Sequence, residues 1–208
     1  VHAALHETAA LVASVVVRCE RLATRAQLLA HFVAVASELR RLRNYNGLVA
    51  VLAGLGNSAV YRLALSKGRM PRAAQLEWDA LQALMSHDGS YRQYRAALGA
   101  HAERPPFVPY LGVHLTDLTF IGDGNKDTLN GQVNWSKRLR VHQVLSLCLA
   151  GRAARYPFTA LPGVARLFAA AERLSEDQLY TESLLREPRG ATAAEVERLE
   201  QEAAPSKV

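Results

Sequence analysis

Apolar residues recur at helical spacing along almost the whole chain. Between Arg25 and Leu42, the residues Leu28, Phe32, Val35, Leu39 and Leu42 follow one another at steps of three and four, which lines them up on one face of a helix. The same periodicity predicts helices over 5–19, 47–55, 73–85, 91–98, 133–150 and 164–174. No sustained alternation with period two is visible, so strands are expected to be few or absent. Pro105, Pro106 and Pro109 mark an extended segment. Gly122, Gly124 and Asn125 close the helix before them in the manner of a C-terminal cap. Ser175 with Gln178, and Thr192 with Glu195, have capping-box spacing, and Glu176 and Asp177 place negative charge where a helix start favours it. With no internal repeat or low-complexity block, the expectation is one all-α domain over residues 1–190, followed over 191–208 by a helical or frayed tail.

Composition changes this picture little. Half of the 208 residues are hydrophobic and 21% are charged, as in ordinary globular chains. The apolar run 9–17 is about half the roughly 20 residues a membrane span needs, and it predicts a buried helix instead of a leader. Two cysteines, Cys19 and Cys148, are too few for a disulfide framework and are expected to be free thiols in a reducing compartment. The net charge of +6 is spread along the chain. It permits an acidic partner, but no helix-turn-helix or aromatic–basic motif accompanies it, so nucleic acid is not an expected ligand.

Signatures of covalent chemistry fail in turn. No GxxxxGKS loop is present, and Gly54-Leu55-Gly56 lacks the rest of a dinucleotide fingerprint. Ser58 has no glycine two residues on and is no nucleophile elbow. His2 and His6 have the i,i+4 spacing of metal ligands but no third ligand nearby. His31, His87, His101, His114 and His142 are scattered, and the expectation is surface or hydrogen-bonded histidines, with no metal and no cofactor. An interaction surface is the expected working part.

Three segments point to its nature. The first runs from Phe32 through Leu42-Arg-Asn-Tyr-Asn-Gly47 to Leu55, followed by Val60-Tyr-Arg-Leu63. The second is Pro106-Phe-Val-Pro-Tyr-Leu-Gly-Val-His-Leu-Thr-Asp-Leu-Thr-Phe-Ile-Gly-Asp-Gly-Asn125. The third is Val133-Asn-Trp-Ser-Lys-Arg138, with Leu179-Tyr180, Ser183-Leu184 and Glu187-Pro-Arg189 after it. In this order they resemble the catalytic (Cdc25-homology, RasGEF) domain of guanine-nucleotide exchange factors for Ras-subfamily GTPases.

The resemblance implies an all-helical bowl with a protruding helical hairpin, running here from about Val108 to about Ala150. Its first helix would reach through Thr119 and its second would begin near Val133. The match starts partway through the family pattern, so the first helices of the domain are expected to be missing from this chain. By the same resemblance, Thr119 and Asp123 face the magnesium and phosphate region of a bound GTPase, and Asn125 joins them in the catalytic set. Val49, Gly56, Ser58, Tyr61, Tyr91, Tyr110 and Thr116 would contact the GTPase, most of them at its switch II segment. Asn44 and Asn46 are expected to brace the fold, Arg62 either to brace it or to meet the partner, and Trp135 to anchor the second hairpin helix against the core. Lys137 and Arg138 are either a solvated face or a contact with the acidic GTPase. The implied partner is a Ras-, Rap- or Ral-type GTPase, in the cytoplasm or at the inner face of a membrane. The family usually carries two adjacent acids where this chain has Gly122 and Asp123. That departure keeps a second reading open, a scaffold that binds a GTPase or adaptor without expelling nucleotide.

Overall fold

The computed structural model describes residues 2–203, with the side chains of 3–202. Among them are twelve α-helices. They are α1 (His2–Arg18), α2 (Leu22–Arg41), α3 (Tyr45–Leu55), α4 (Ser58–Tyr61), α5 (Ala64–Gly68) and α6 (Arg72–Leu84). After these come α7 (Arg92–Gly99), α8 (Leu111–Gly124), α9 (Trp135–Ala150), α10 (Pro162–Ala170), α11 (Glu176–Arg186) and α12 (Ala193–Ala203). The fold is all-α, as the periodicity predicts. The exception is a two-stranded antiparallel ribbon between α8 and α9, β1 (Thr128–Leu129) and β2 (Gln132–Val133). Asn130 and Gly131 turn it, with φ of 52° and 79°. Positive φ at both central residues is what a tight hairpin turn of matching twist requires.

The chain divides into two compact units. The first comprises Val1–Glu38, Gly47–Gln82 and Thr159–Val208. In it α1 packs on α4 and α11. Val12, Ala13, Val16 and Val17 of α1 are buried, as are Leu22, Ala26, Leu29, Val33 and Ala36 of α2. The buried stripe of α2 lies one residue, or about 100°, round from the predicted Leu28–Phe32–Val35–Leu39 stripe, whose members are half-buried. Alanines at 26 and 36 let neighbours come close on the inner face, and the larger residues fill its flank.

A buried polar network ties the ends of this unit together. Arg25 has no solvent exposure. Its Nε donates to Ser66 Oγ at 2.8 Å, and a terminal nitrogen donates to the carbonyls of Cys19 and Glu20, which follow α1, at 2.8 and 2.9 Å. Glu187 answers it: the carboxylate lies 3.6 Å from the guanidinium and accepts from Leu65 N, Ser66 N and Ser66 Oγ. Arg62 braces the same region, donating to Ser183 O and Oγ and to Glu187 O. The capping boxes expected at Ser175–Gln178 and Thr192–Glu195 are both formed. The second opens α12, in which Val196 is buried and Glu200 accepts from Leu22 N at 2.6 Å. By contrast α10 buries none of its residues and turns Val164 and Leu167 outward.

The second unit comprises Leu39–Asn46 and Ala83–Phe158. Its core gathers Tyr45, Met85, Tyr94, Leu98, Phe107 and Val113. The rings of Tyr45 and Tyr94 meet edge to face at 5.2 Å. Asn44 braces this region through the backbone: it forms a parallel bridge with Val108, flanked by Val108 N to Arg43 O and Tyr45 N to Val108 O. Helices α8 and α9 pack on each other as a helical hairpin.

Candidate functional site

Helix α8 has two faces. Val113 and His114 are buried, and Asp117, Leu118 and Ile121 are half-buried beside them. Thr116, Thr119 and Asp123, spaced by three and four, share the opposite face and are exposed. Both threonine hydroxyls donate back into the helix, Thr116 to Gly112 O at 3.0 Å and Thr119 to Leu115 O at 3.1 Å. Their oxygens are left to accept from an incoming group. Phe120, 71% exposed, projects beside them.

The inner face of α8 is held by α7. Arg95 makes a two-pronged ion pair with Asp117 at 2.7 and 2.8 Å, a geometry that fixes direction as well as distance. His114 Nε2 lies 2.9 Å from the Tyr94 hydroxyl, which accepts from Tyr110 N at 2.9 Å. With an acceptor lone pair of Tyr94 taken, its O–H is free to donate to an unprotonated Nε2. Burial pushes the His114 pKa down, opposed by Asp117 and assisted by Arg95, and burial pushes Tyr94 well above the usual phenol range. The neutral pair thus fixes the start of α8 and, with it, Tyr110. Tyr91 caps α7 in the left-handed region, φ 62°, where a bulky residue is strained, and its ring meets that of Tyr110 edge-on at 6.2 Å. The Tyr110 ring lies over Gly112, where a Cβ would come within 2.7 Å of its tip.

This exposed Thr-Thr-Asp face lies inside the motif singled out from the sequence, and the profile of the RasGEF domain matches residues 2–139. The chain belongs to the RasGEF domain family. Among similar proteins of Dictyostelium discoideum, Ras guanine nucleotide exchange factor K is 36% identical over 188 residues, covering 89% of this chain and 12% of that protein. Factor I is 35% identical over 173 residues, covering 83% of this chain and 21% of its own. Factor A is 32% identical over 200 residues, covering 89% and 33%. The chain spans a third or less of the length of each of these relatives.

In the RasGEF domain's hairpin, α8 runs on past Thr119 to Gly124. Asn125 does not share the outward face. Its side chain turns back to donate to Ile121 O at 3.0 Å, and its backbone is extended, φ −136°. Helix α8 thus ends at Gly124 with Asn125 as its C-cap, where the sequence predicts the helix to close, and the cap backbone is extended instead of left-handed. Two further expectations are corrected at α9. Trp135 is 76% exposed and anchors nothing in the core. The inner face of that first turn is taken by Asn134 and Lys137, and a residue one step along points about 100° away. Lys137 is buried, so it is not a solvated side chain. Asn134 is the N-cap, accepting from Lys137 N. Arg138 remains exposed and pairs with Asp127 at 2.9 Å.

The other predicted contact residues lie in the first unit. Gly56 and Ser58 are exposed around Asn57, whose side chain caps α4 by accepting from Ala59 N at 2.9 Å and donates to Glu176. Tyr61, one turn after Ser58, is 62% exposed, and the Lys67 ammonium sits 3.8 Å over its ring. That cation holds an otherwise free aromatic in a presentable position. Val49 is half-buried in α3. Sequence reasoning missed Lys67, Arg95, Asp117 and Lys137 as positioning groups. Asp117 and Lys137 lay inside quoted motifs, but their contacts come from other helices. Among the described residues no cluster of His, Cys, Asp or Glu is placed to hold a metal, and the side chain of His2 lies outside them. Among them, too, no helix is long and apolar enough to cross a membrane.

Proposed function

We propose that this chain accelerates GDP release from a Ras-subfamily GTPase, of Ras, Rap or Ral type. The observation that carries the reading is the exposed line of Thr116, Thr119 and Asp123 on α8, within a RasGEF-family hairpin. The chain does no covalent chemistry. Its hairpin would enter beside the phosphate site of the GTPase. There the Asp123 carboxylate competes for the phosphate-loop hydroxyl that otherwise serves magnesium, and Thr119 crowds the metal and phosphate region. Weakening the metal's hold removes favourable charge from the phosphates, and GDP leaves faster. Catalysis of this kind is differential binding: the exchanger favours the nucleotide-free GTPase over the loaded one. Tyr61, Ser58 and Gly56 of the first unit would each contact switch II, and so would Tyr91 and Tyr110 of the second, aromatic area being the usual anchor of such contacts. Asn125 contributes by shaping the end of α8, and Val49 by supporting α3.

The test is release of a fluorescent GDP analogue from purified Ras, Rap and Ral proteins. The wild-type chain is expected to accelerate release from one branch. Asp123→Ala with Thr119→Glu should lower that acceleration by about tenfold or more, the worth of a lost charge-assisted hydrogen bond. GTPase binding without faster release would assign the chain to the scaffold reading, which Gly122 in place of an acid motivates.

A further inference from the structure

The turn joining α8 to α9 is closed by a lysine. Lys137 lies in the first turn of α9 and is 7% exposed. A buried ammonium is tolerated only when its three N–H donors find acceptors. Nζ has three: Gly122 O at 2.9 Å, Asn125 O at 2.7 Å and the Asp127 carboxylate at 3.2 Å. The first two carbonyls belong to the last turn of α8 and its C-cap, where a helix leaves acceptors without amide partners. Positive charge there also meets the negative end of the helix dipole. Asn134 reinforces the closure, donating from its side chain to Lys126 O at 2.9 Å and from its backbone to Asp127 O at 2.8 Å. The Lys137 ammonium holds the Asp127 pKa below its ordinary value, helped by Arg138.

Asp123 lies between the two carbonyls that this single ammonium grips. We propose that Lys137 is a positioning residue of the exchange reaction: by pinning the backbone on both sides of Asp123 it sets the direction in which that carboxylate leaves the hairpin. The inference rests on the exchange reading above. Lys137 is itself buried against the end of α8, and its effect passes through that end.

Lys137→Met keeps the stem and the helix propensity but removes all three donors. In the full chain, the maximal rate of fluorescent GDP-analogue release at saturating exchanger is expected to fall by about tenfold, while the half-saturating concentration stays within about twofold. Adding Asp123→Ala to Lys137→Met should cost little more, because both act through one carboxylate. Amide hydrogen exchange over 122–134 should quicken in the free variant. An unchanged maximal rate, a rise confined to the half-saturating concentration, or full additivity with Asp123→Ala would each overturn the proposal. Should Lys137→Met lose its cooperative melt, Lys137→Arg takes its place, since a planar guanidinium cannot reproduce three convergent contacts. If the wild-type chain releases GDP from no GTPase, the exchange reading falls by itself. Hydrogen exchange then judges the clamp: quickened exchange upholds it, and unchanged protection overturns it.

Discussion

Replacing Glu187 by glutamine probes the network that closes the first unit. The two side chains have nearly the same volume, so no cavity enters the comparison. What is lost is the negative charge 3.6 Å from an Arg25 side chain that has no solvent exposure. The glutamine oxygen can still accept from Ser66, but its amide nitrogen then faces Leu65 N, donor against donor, at the site where Oε2 now accepts at 2.9 Å. Removing one partner of a buried ion pair costs about 3–5 kcal/mol, because the survivor keeps its desolvation penalty. For a domain of this size each kcal/mol lowers Tm by about 2–4 °C, so Glu187→Gln should melt about 6–20 °C below wild type in calorimetry. Arg25→Met combined with Glu187→Gln removes the stranded charge and should recover part of that loss. Recovery is incomplete because the carbonyls of Cys19 and Glu20 lose donors at 2.8 and 2.9 Å. A Glu187→Gln melt within about 2 °C of wild type would refute the reasoning, since it would mean that Arg25 does not need its counterion.

Gly112→Ala adds a Cβ that would sit 2.7 Å from the tip of the Tyr110 ring, displacing it. Affinity for nucleotide-free GTPase should fall about fivefold or more, as for loss of an interface aromatic, with little change in Tm; titration calorimetry reads it. His114 gives the fold a pH dependence. Its folded pKa is lowered by burial, so the unfolded chain binds more protons as pH falls through the ordinary histidine value near 6.5. Stability should therefore drop with acidification from there down to the folded pKa and then level off. His114→Gln, which keeps an acceptor for Tyr94 without titrating, should flatten that part of a Tm-against-pH curve.

The class of fold was legible from the chain alone, and the reason is local. Apolar spacing of three and four specifies helices without reference to distant parts of the chain, and Ser175–Gln178 and Thr192–Glu195 cap theirs with neighbours three residues away. The family was legible for a similar reason, because its motifs are contiguous runs. The Asn130-Gly131 turn is equally local, yet its ribbon is so short that no alternation announces it. The rest depended on partners far apart in the chain. Which side of α2 faces inward was decided by what packs there, which moved the buried stripe one residue from the predicted one. Arg25 and Glu187 are separated by most of the chain, and neither residue alone signals burial. At the hairpin tip, Trp135 looks like an anchor and Lys137 like a surface charge. Tertiary structure reversed both, because the carbonyls at the end of α8 need donors that only a cation from the next helix supplies.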